Sequence, residues 1–131
     1  MKPIELTVET FVDHVQKDGI VVIDFWAGWC APCRAFAPIF EAAANKHTDI
    51  VWAKVDTDAQ GELAGALEVR SIPTLMVFRD GVLLLAQPGV VPGKVLDEVI
   101  EKTRALDMVE VKRQIEEARE LEEQGEEPLQ T

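Results

Sequence analysis

Two cysteines, Cys30 and Cys33, are the only ones in the 131-residue chain, and just Ala31 and Pro32 lie between them. A Cys-x-x-Cys pair supports reversible disulfide chemistry, or it forms half of a tetrahedral metal site. The pair falls where a continuous apolar run, residues 20–26, gives way to apolar positions at helical spacing, so it opens a helix. There, residues three apart share a face and their sulfurs can join with little backbone movement. Cys30 is expected at or next to the N-cap, where free backbone amides and the positive end of the helix dipole favour thiolate over thiol. Its pKa should fall, which makes it the nucleophile. Cys33, one turn deeper, is then the resolving thiol that attacks the mixed disulfide.

Asp24 is the second anomaly, a lone charge inside the run IVVIDFW. Burial should raise its pKa, which suits a group that takes and returns a proton. Lys54, on the neighbouring strand, can partly balance the buried charge. The plainer alternative is a structural Asp24–Lys54 pair.

The elements that must position these groups alternate. Residues 4–6 form a short strand, and Thr7 caps a helix carrying Phe11, Val12 and Val15. A strand buried on both faces follows at 20–26, then a helix over 31–47 with Pro38 inside it, expected to bend it. Strands are expected at 50–56 and 74–78, with a short helix capped by Asp58 between them. Arg79-Asp80-Gly81 turns the chain into a strand over 82–86, and a helix spans 92–105. The order β-α-β-α-β-α-β-β-α implies an α/β fold, a mixed central sheet flanked by helices, with one antiparallel pair forced by the Asp-Gly turn.

With the residues laid out this way, the chain resembles the thioredoxins over residues 4–105. The shared motifs are DFWAGWC at 24–30, Pro38, KVD at 54–56, IPT at 72–74, Gly81 and Gly89. The resemblance implies the thioredoxin fold and a protein-disulfide reductase in which Cys30 attacks, Cys33 resolves and Asp24 helps deprotonate Cys33. It further implies a cis Pro73 facing the pair, with Lys54, Trp26, Trp29, Ala31 and Pro32 in support. An apolar substrate-binding rim of Trp29, Ile72, Pro73, Thr74, Pro88, Gly89 and Val90 belongs to the same expectation, as do disulfide-containing protein substrates and a thioredoxin reductase as electron donor. No organic cofactor is implied, because the two sulfurs hold the electron pair. Ala31 departs from the family, whose commonest active site has Gly there, and it bears on the reduction potential and the choice of reductase.

The charge is −11 overall, with 15 acidic and 10 basic residues in 1–105 and 9 acidic and 3 basic in 106–131. Such a surface repels phosphate backbones, so nucleic-acid binding is not expected. No run is long enough to span a bilayer and no secretory signal is evident, so no membrane association and a cytoplasmic location are expected. Residues 1–105 read as one domain and 106–131 as an acidic extension. Asp107 and Glu110 resemble a capping box, and Met108, Val111, Ile115 and Ala118 recur at helical spacing. A helix over about 108–124 is therefore expected, ended by Gly125 and followed by a flexible tail, in a monomer.

Three rivals remain at this level. A zinc site lacks a second ligand pair, since His14 and His47 each stand alone on expected polar helix surfaces, so no metal is assigned. A thioredoxin-fold chaperone or assembly module has no need of the Cys30, Cys33, Asp24 and Pro73 set. A disulfide oxidant or isomerase differs from a reductase in potential and compartment.

Overall fold

A computed structural model describes residues 2–129, with side chains to residue 125. Strands β1 (Ile4–Glu5), β2 (Ile20–Trp26), β3 (Val51–Asp56), β4 (Thr74–Arg79) and β5 (Val82–Pro88) form one sheet in the order β1-β3-β2-β4-β5. Helices α1 (Phe11–Val15), α2 (Ala31–Lys46), α3 (Gly61–Ala66), α4 (Gly93–Ala105) and α5 (Met108–Leu129) complete the chain.

Side chains alternate across β2 and divide the core in two. Val22 and Ile20 meet Phe36 and Phe40 of α2 and Leu96 and Ile100 of α4 on one face. Val21, Ile23 and Phe25 meet Phe11 and Val15 of α1 and Leu63 of α3 on the other. Because β2 is covered on both faces, nearly every position is apolar, which is why its sequence shows no alternation.

The sheet is mixed, but it holds two antiparallel pairs rather than one. Strand β4 runs against β2 as well as against β5. Helix α3 has six residues, about 9 Å of rise, against about 20 Å for a six-residue strand. The 57–73 connection that contains it returns the chain to the end of the sheet at which β3 finishes, so β4 begins where β2 ends. That short return delivers Ile72 and Pro73 to the same end of the sheet as Cys30.

Two expected caps are corrected. Thr7 does not cap α1: its carbonyl accepts from the Thr10 and Phe11 amides in a preceding turn, and Thr10 stands at the N-cap. Asp58 does not cap α3, whose N-cap is Gln60; the carboxylate that turns this loop is Asp56, which accepts from the Asp58 and Ala59 amides. Pro38 sits inside α2 without ending it. His47 is not on a polar surface but buried at the end of α2, with Nε2 2.9 Å from Asp97 Oδ1 and Nδ1 3.3 Å from the Arg104 guanidinium. Since arginine can only donate, Nδ1 accepts and Nε2 carries the proton toward Asp97.

Helix α5 extends beyond Gly125 to Leu129, four residues past the expected stop. A helical glycine costs only about 1 kcal/mol relative to alanine and does not end a helix by itself. At its start the Glu110 amide donates to Asp107 Oδ1 at 3.2 Å, half of the expected capping box, while the Glu110 carboxylate turns to Arg113 and Gln114.

Candidate active site

The end of β2 and the start of α2 build the centre of the site. Cys30 is the N-cap of α2, with extended backbone angles, and its sulfur receives the backbone N–H of Cys33 at 3.1 Å. Pro32 occupies the first turn, where its missing N–H costs nothing because that amide would have no helical partner. The first turn carries no acidic residue, so nothing opposes negative charge on the sulfur. Cys30 and Cys33 are joined as a disulfide, with Cα atoms 5.2 Å apart, and both are buried.

Ala27 packs on the two sulfurs, with Trp26 and Ile72 beside it. The Ile72–Pro73 peptide is cis. Cys30 Sγ lies 3.7 Å from the Ile72 carbonyl oxygen, an acceptor for the thiol proton once the pair is reduced. The Gly89 amide donates to the Pro73 carbonyl at 2.8 Å and thereby ties the Pro88–Val90 loop to the cis segment. Gly89 has φ +91°, a conformation that side chains resist.

The expected rim divides by exposure. Trp29, Ala31, Pro88, Gly89 and Val90 are exposed and Ile72 is half-buried, whereas Pro73 and Thr74 are buried. Thr74 donates its hydroxyl proton to the Ser71 carbonyl at 2.6 Å, which leaves that side chain no proton to donate to a substrate. Trp29 is 69% exposed and held by its indole N–H on Asp58 at 3.3 Å. Sequence reasoning assigned Asp58 to a helix cap, because the Trp29 contact spans 29 positions and leaves no local pattern. Arg34 was also missed; its guanidinium donates to the Gly28 carbonyl at 2.9 Å and braces the loop before Cys30.

In β2, two residues before Trp26, Asp24 has no exposed surface and neither carboxylate oxygen finds a hydrogen-bond partner among the described residues. Lys54 Nζ stands 3.8 Å away, in ion-pair range but beyond hydrogen-bonding distance, and lies 4.9 Å over the Trp26 ring. Burial pushes the Asp24 carboxyl up to about 6, with Lys54 pulling in the opposite direction. The Trp26 indole nitrogen is also buried without a partner. Unpaired polar atoms are rare in folded interiors, and of these two residues Trp26 packs against the cluster of Ala27, Cys30 and Cys33. Among the described residues, no group of three or more His, Cys, Asp or Glu could hold a metal ion.

Comparison with known proteins decides what this arrangement belongs to. The family model described as Thioredoxin matches residues 2–102. The chain belongs to the thioredoxin family. A relative named putative thioredoxin 2, from Streptomyces coelicolor, is 49% identical over 112 residues, covering 86% of this chain and 84% of its own. The thioredoxin of Staphylococcus saprophyticus is 40% identical over 105 residues, covering 78% and 98%. The fold also matches a chain solved in work on the structural basis of the thiol resolving mechanism in yeast mitochondrial 1-Cys peroxiredoxin via glutathione/thioredoxin systems. That match has a TM-score of 0.72 and 26% identity, covering 77% of this chain and 95% of the other. This thioredoxin-family chain is a thiol–disulfide oxidoreductase, a protein-disulfide reductase whose redox-active pair is the Cys30–Cys33 disulfide. Neither the chaperone or assembly reading nor the oxidant or isomerase reading is favoured.

Proposed function

We propose that Cys30 is the attacking thiol and Cys33 the resolving thiol of a cycle that reduces disulfides in protein substrates. The observation that carries this is the 3.1 Å bond from the Cys33 amide to Cys30 Sγ, at the head of a helix with no carboxylate in its first turn. In the reduced chain the Cys30 thiolate attacks one substrate sulfur, forms a mixed disulfide and expels the other substrate sulfur as a thiolate. Cys33 gives its proton to Asp24 and attacks Cys30 Sγ. The mixed bond breaks, the second substrate thiolate leaves, and the Cys30–Cys33 disulfide forms. Two electrons pass from the pair to the substrate, and the protons end on its two thiols.

Asp24 fits the base role because a carboxylate held near 6 is ionised at neutral pH yet basic enough to accept a proton. Lys54 moderates its charge, and Trp26 shields both from one side. An extended substrate segment docks across Trp29, Ala31, Ile72, Pro88, Gly89 and Val90, with Pro73 and Thr74 as the floor that shapes it. Its backbone hydrogen-bonds to the chain at Ile72.

The electron donor in this reading is a flavin-dependent, NADPH-linked thioredoxin reductase. The sulfurs store the electron pair, so no organic cofactor takes part. No helix among the described residues is long and apolar enough to cross a membrane. We assign the chain to the cytoplasm, as a monomer, with residues 1–105 as the redox domain and 106–131 as an acidic extension.

Insulin reduction by dithiothreitol tests the roles. Wild type should accelerate it, Cys30→Ser should not, and Cys33→Ser should accumulate a mixed disulfide. Retained turnover in Cys30→Ser would refute the assignment. The equilibrium potential of the pair against glutathione separates reductant from oxidant.

A further inference from the structure

The row of residues that holds Asp24 contains a second carboxylate for which the cycle above has no use. Strand register sets Glu5 of β1 opposite Lys54 of β3, and Lys54 opposite Asp24 of β2. Residues paired across adjacent strands project from the same face. Lys54 therefore stands in the row between two acidic residues. Asp24 is fully buried, the Lys54 side chain is 16% exposed, and Glu5 is open to solvent at the sheet edge.

We propose that Glu5 is a positioning residue for the redox reaction, acting through Lys54 to hold up the proton affinity of Asp24. The inference rests on the reading of Asp24 as the base for Cys33. Two effects act with the same sign. Glu5 attracts the Lys54 ammonium, whose charge lowers the Glu5 carboxyl in turn, and that ammonium stands 3.8 Å from Asp24. Its own negative charge, two strand spacings or roughly 10 Å away, also disfavours a second negative charge on Asp24. Both would vanish with the Glu5 charge.

The other groups facing Asp24 do not supply this effect. Strand β4 presents Leu75 in the same row, and β3 adds Asp56 two residues beyond Lys54. Helix α2 covers the face of β2 on which Ile20 and Val22 lie, and its Arg34 and Glu41 are exposed. The electrostatics agree: after burial and Lys54, Glu5 is the next influence on Asp24, and it raises it. The Glu5 carboxyl is itself raised by partial burial, with Lys54 lowering it and Asp56 raising it.

The test titrates the Asp24 carboxyl by carbon NMR in the reduced protein and records the pH profile of insulin reduction. Glu5→Gln should lower the Asp24 midpoint by about half a pH unit, an effect screened by added salt. Glu5→Asp should restore it, and Glu98→Gln, on an exposed position of α4, should leave it unmoved. In a Lys54→Met background the Glu5→Gln shift should shrink. An unmoved midpoint in Glu5→Gln overturns the proposal, as does an equal movement in Glu98→Gln or a full shift without Lys54. If the Asp24 midpoint moves while the acid limb of turnover does not, the coupling stands and the base reading of Asp24 falls.

Discussion

The backbone amide of Cys33 donates to the sulfur of Cys30, so the thiol assigned the attack in the proposed cycle caps the helix that carries Cys33. A thiolate accepts this bond better than a thiol, and the helix dipole adds to the preference. In the reduced protein Cys30 should therefore be alkylated by iodoacetamide with a midpoint below the value of about 8.5 for free cysteine. Cys33 should react far more slowly. Alkylation of both thiols at the rate of free cysteine near pH 7 would show that the cap does not tune the sulfur.

Asp24 makes a prediction whose sign depends on pH. Its carboxyl is raised from 3.8 to about 6 by burial. Well below pH 3.8 it is neutral in folded and unfolded chains and carries no ionic penalty. As pH rises from 4 to 6 the unfolded chain releases its proton first, so stability falls. Above 6 the full penalty holds, about 3 kcal/mol at 1.36 kcal/mol per pH unit. Asp24→Asn should therefore stabilise the fold by about 2 to 3 kcal/mol at pH 7.5, gain little at pH 3.5, and slow turnover at neutral pH. Urea unfolding at the two pH values checks this, and equal gains at both would contradict it.

Lys54→Met should act in the opposite direction. Without the ammonium 3.8 Å away, the ionised form of Asp24 loses its nearest compensation and its pKa should rise further above 6. The acid limb of turnover should move to higher pH, and stability at pH 7.5 should fall by about 1 kcal/mol. An unchanged limb would mean that Lys54 serves only to cover Trp26.

What the sequence disclosed follows from how locally each feature is encoded. The bounds of β2, the opening of α2 at Cys30 and the hairpin at Gly81 each rest on a few adjacent residues, and the structure has them where the pattern implied. The direction of β4 was misread because it depends on the length of α3 and its loop, which periodicity does not report. Asp58 was read as a cap because an aspartate before a short helix usually is one, while its partner Trp29 lies 29 positions away. Glu5 passed unremarked for a related reason: its link to Asp24 exists only once β3 has been inserted between β1 and β2.

The acidic extension yields a prediction in two cuts. Met108 is 8% exposed and therefore belongs to the domain's packing, and the Leu106 carbonyl accepts from Arg79, whose guanidinium also bonds the Thr103 and Arg104 carbonyls at the end of α4. From Lys112 to Gln124 every residue of α5 is exposed, and its ion pairs, Arg113 with Glu110 and Glu117 and Arg119 with Glu116, are surface pairs of small worth. Ending the chain after Val111 should therefore change unfolding stability by less than about 0.5 kcal/mol and leave turnover and oligomeric state alone. Ending it after Ala105 removes the Met108 side chain and one of the three carbonyls that accept from Arg79, that of Leu106, and should cost about 2 kcal/mol, still without affecting turnover. Equal stability in the two truncated chains would show that Met108 is not part of the core, and loss of turnover in the shorter one alone would tie the α4–α5 elbow to the redox site.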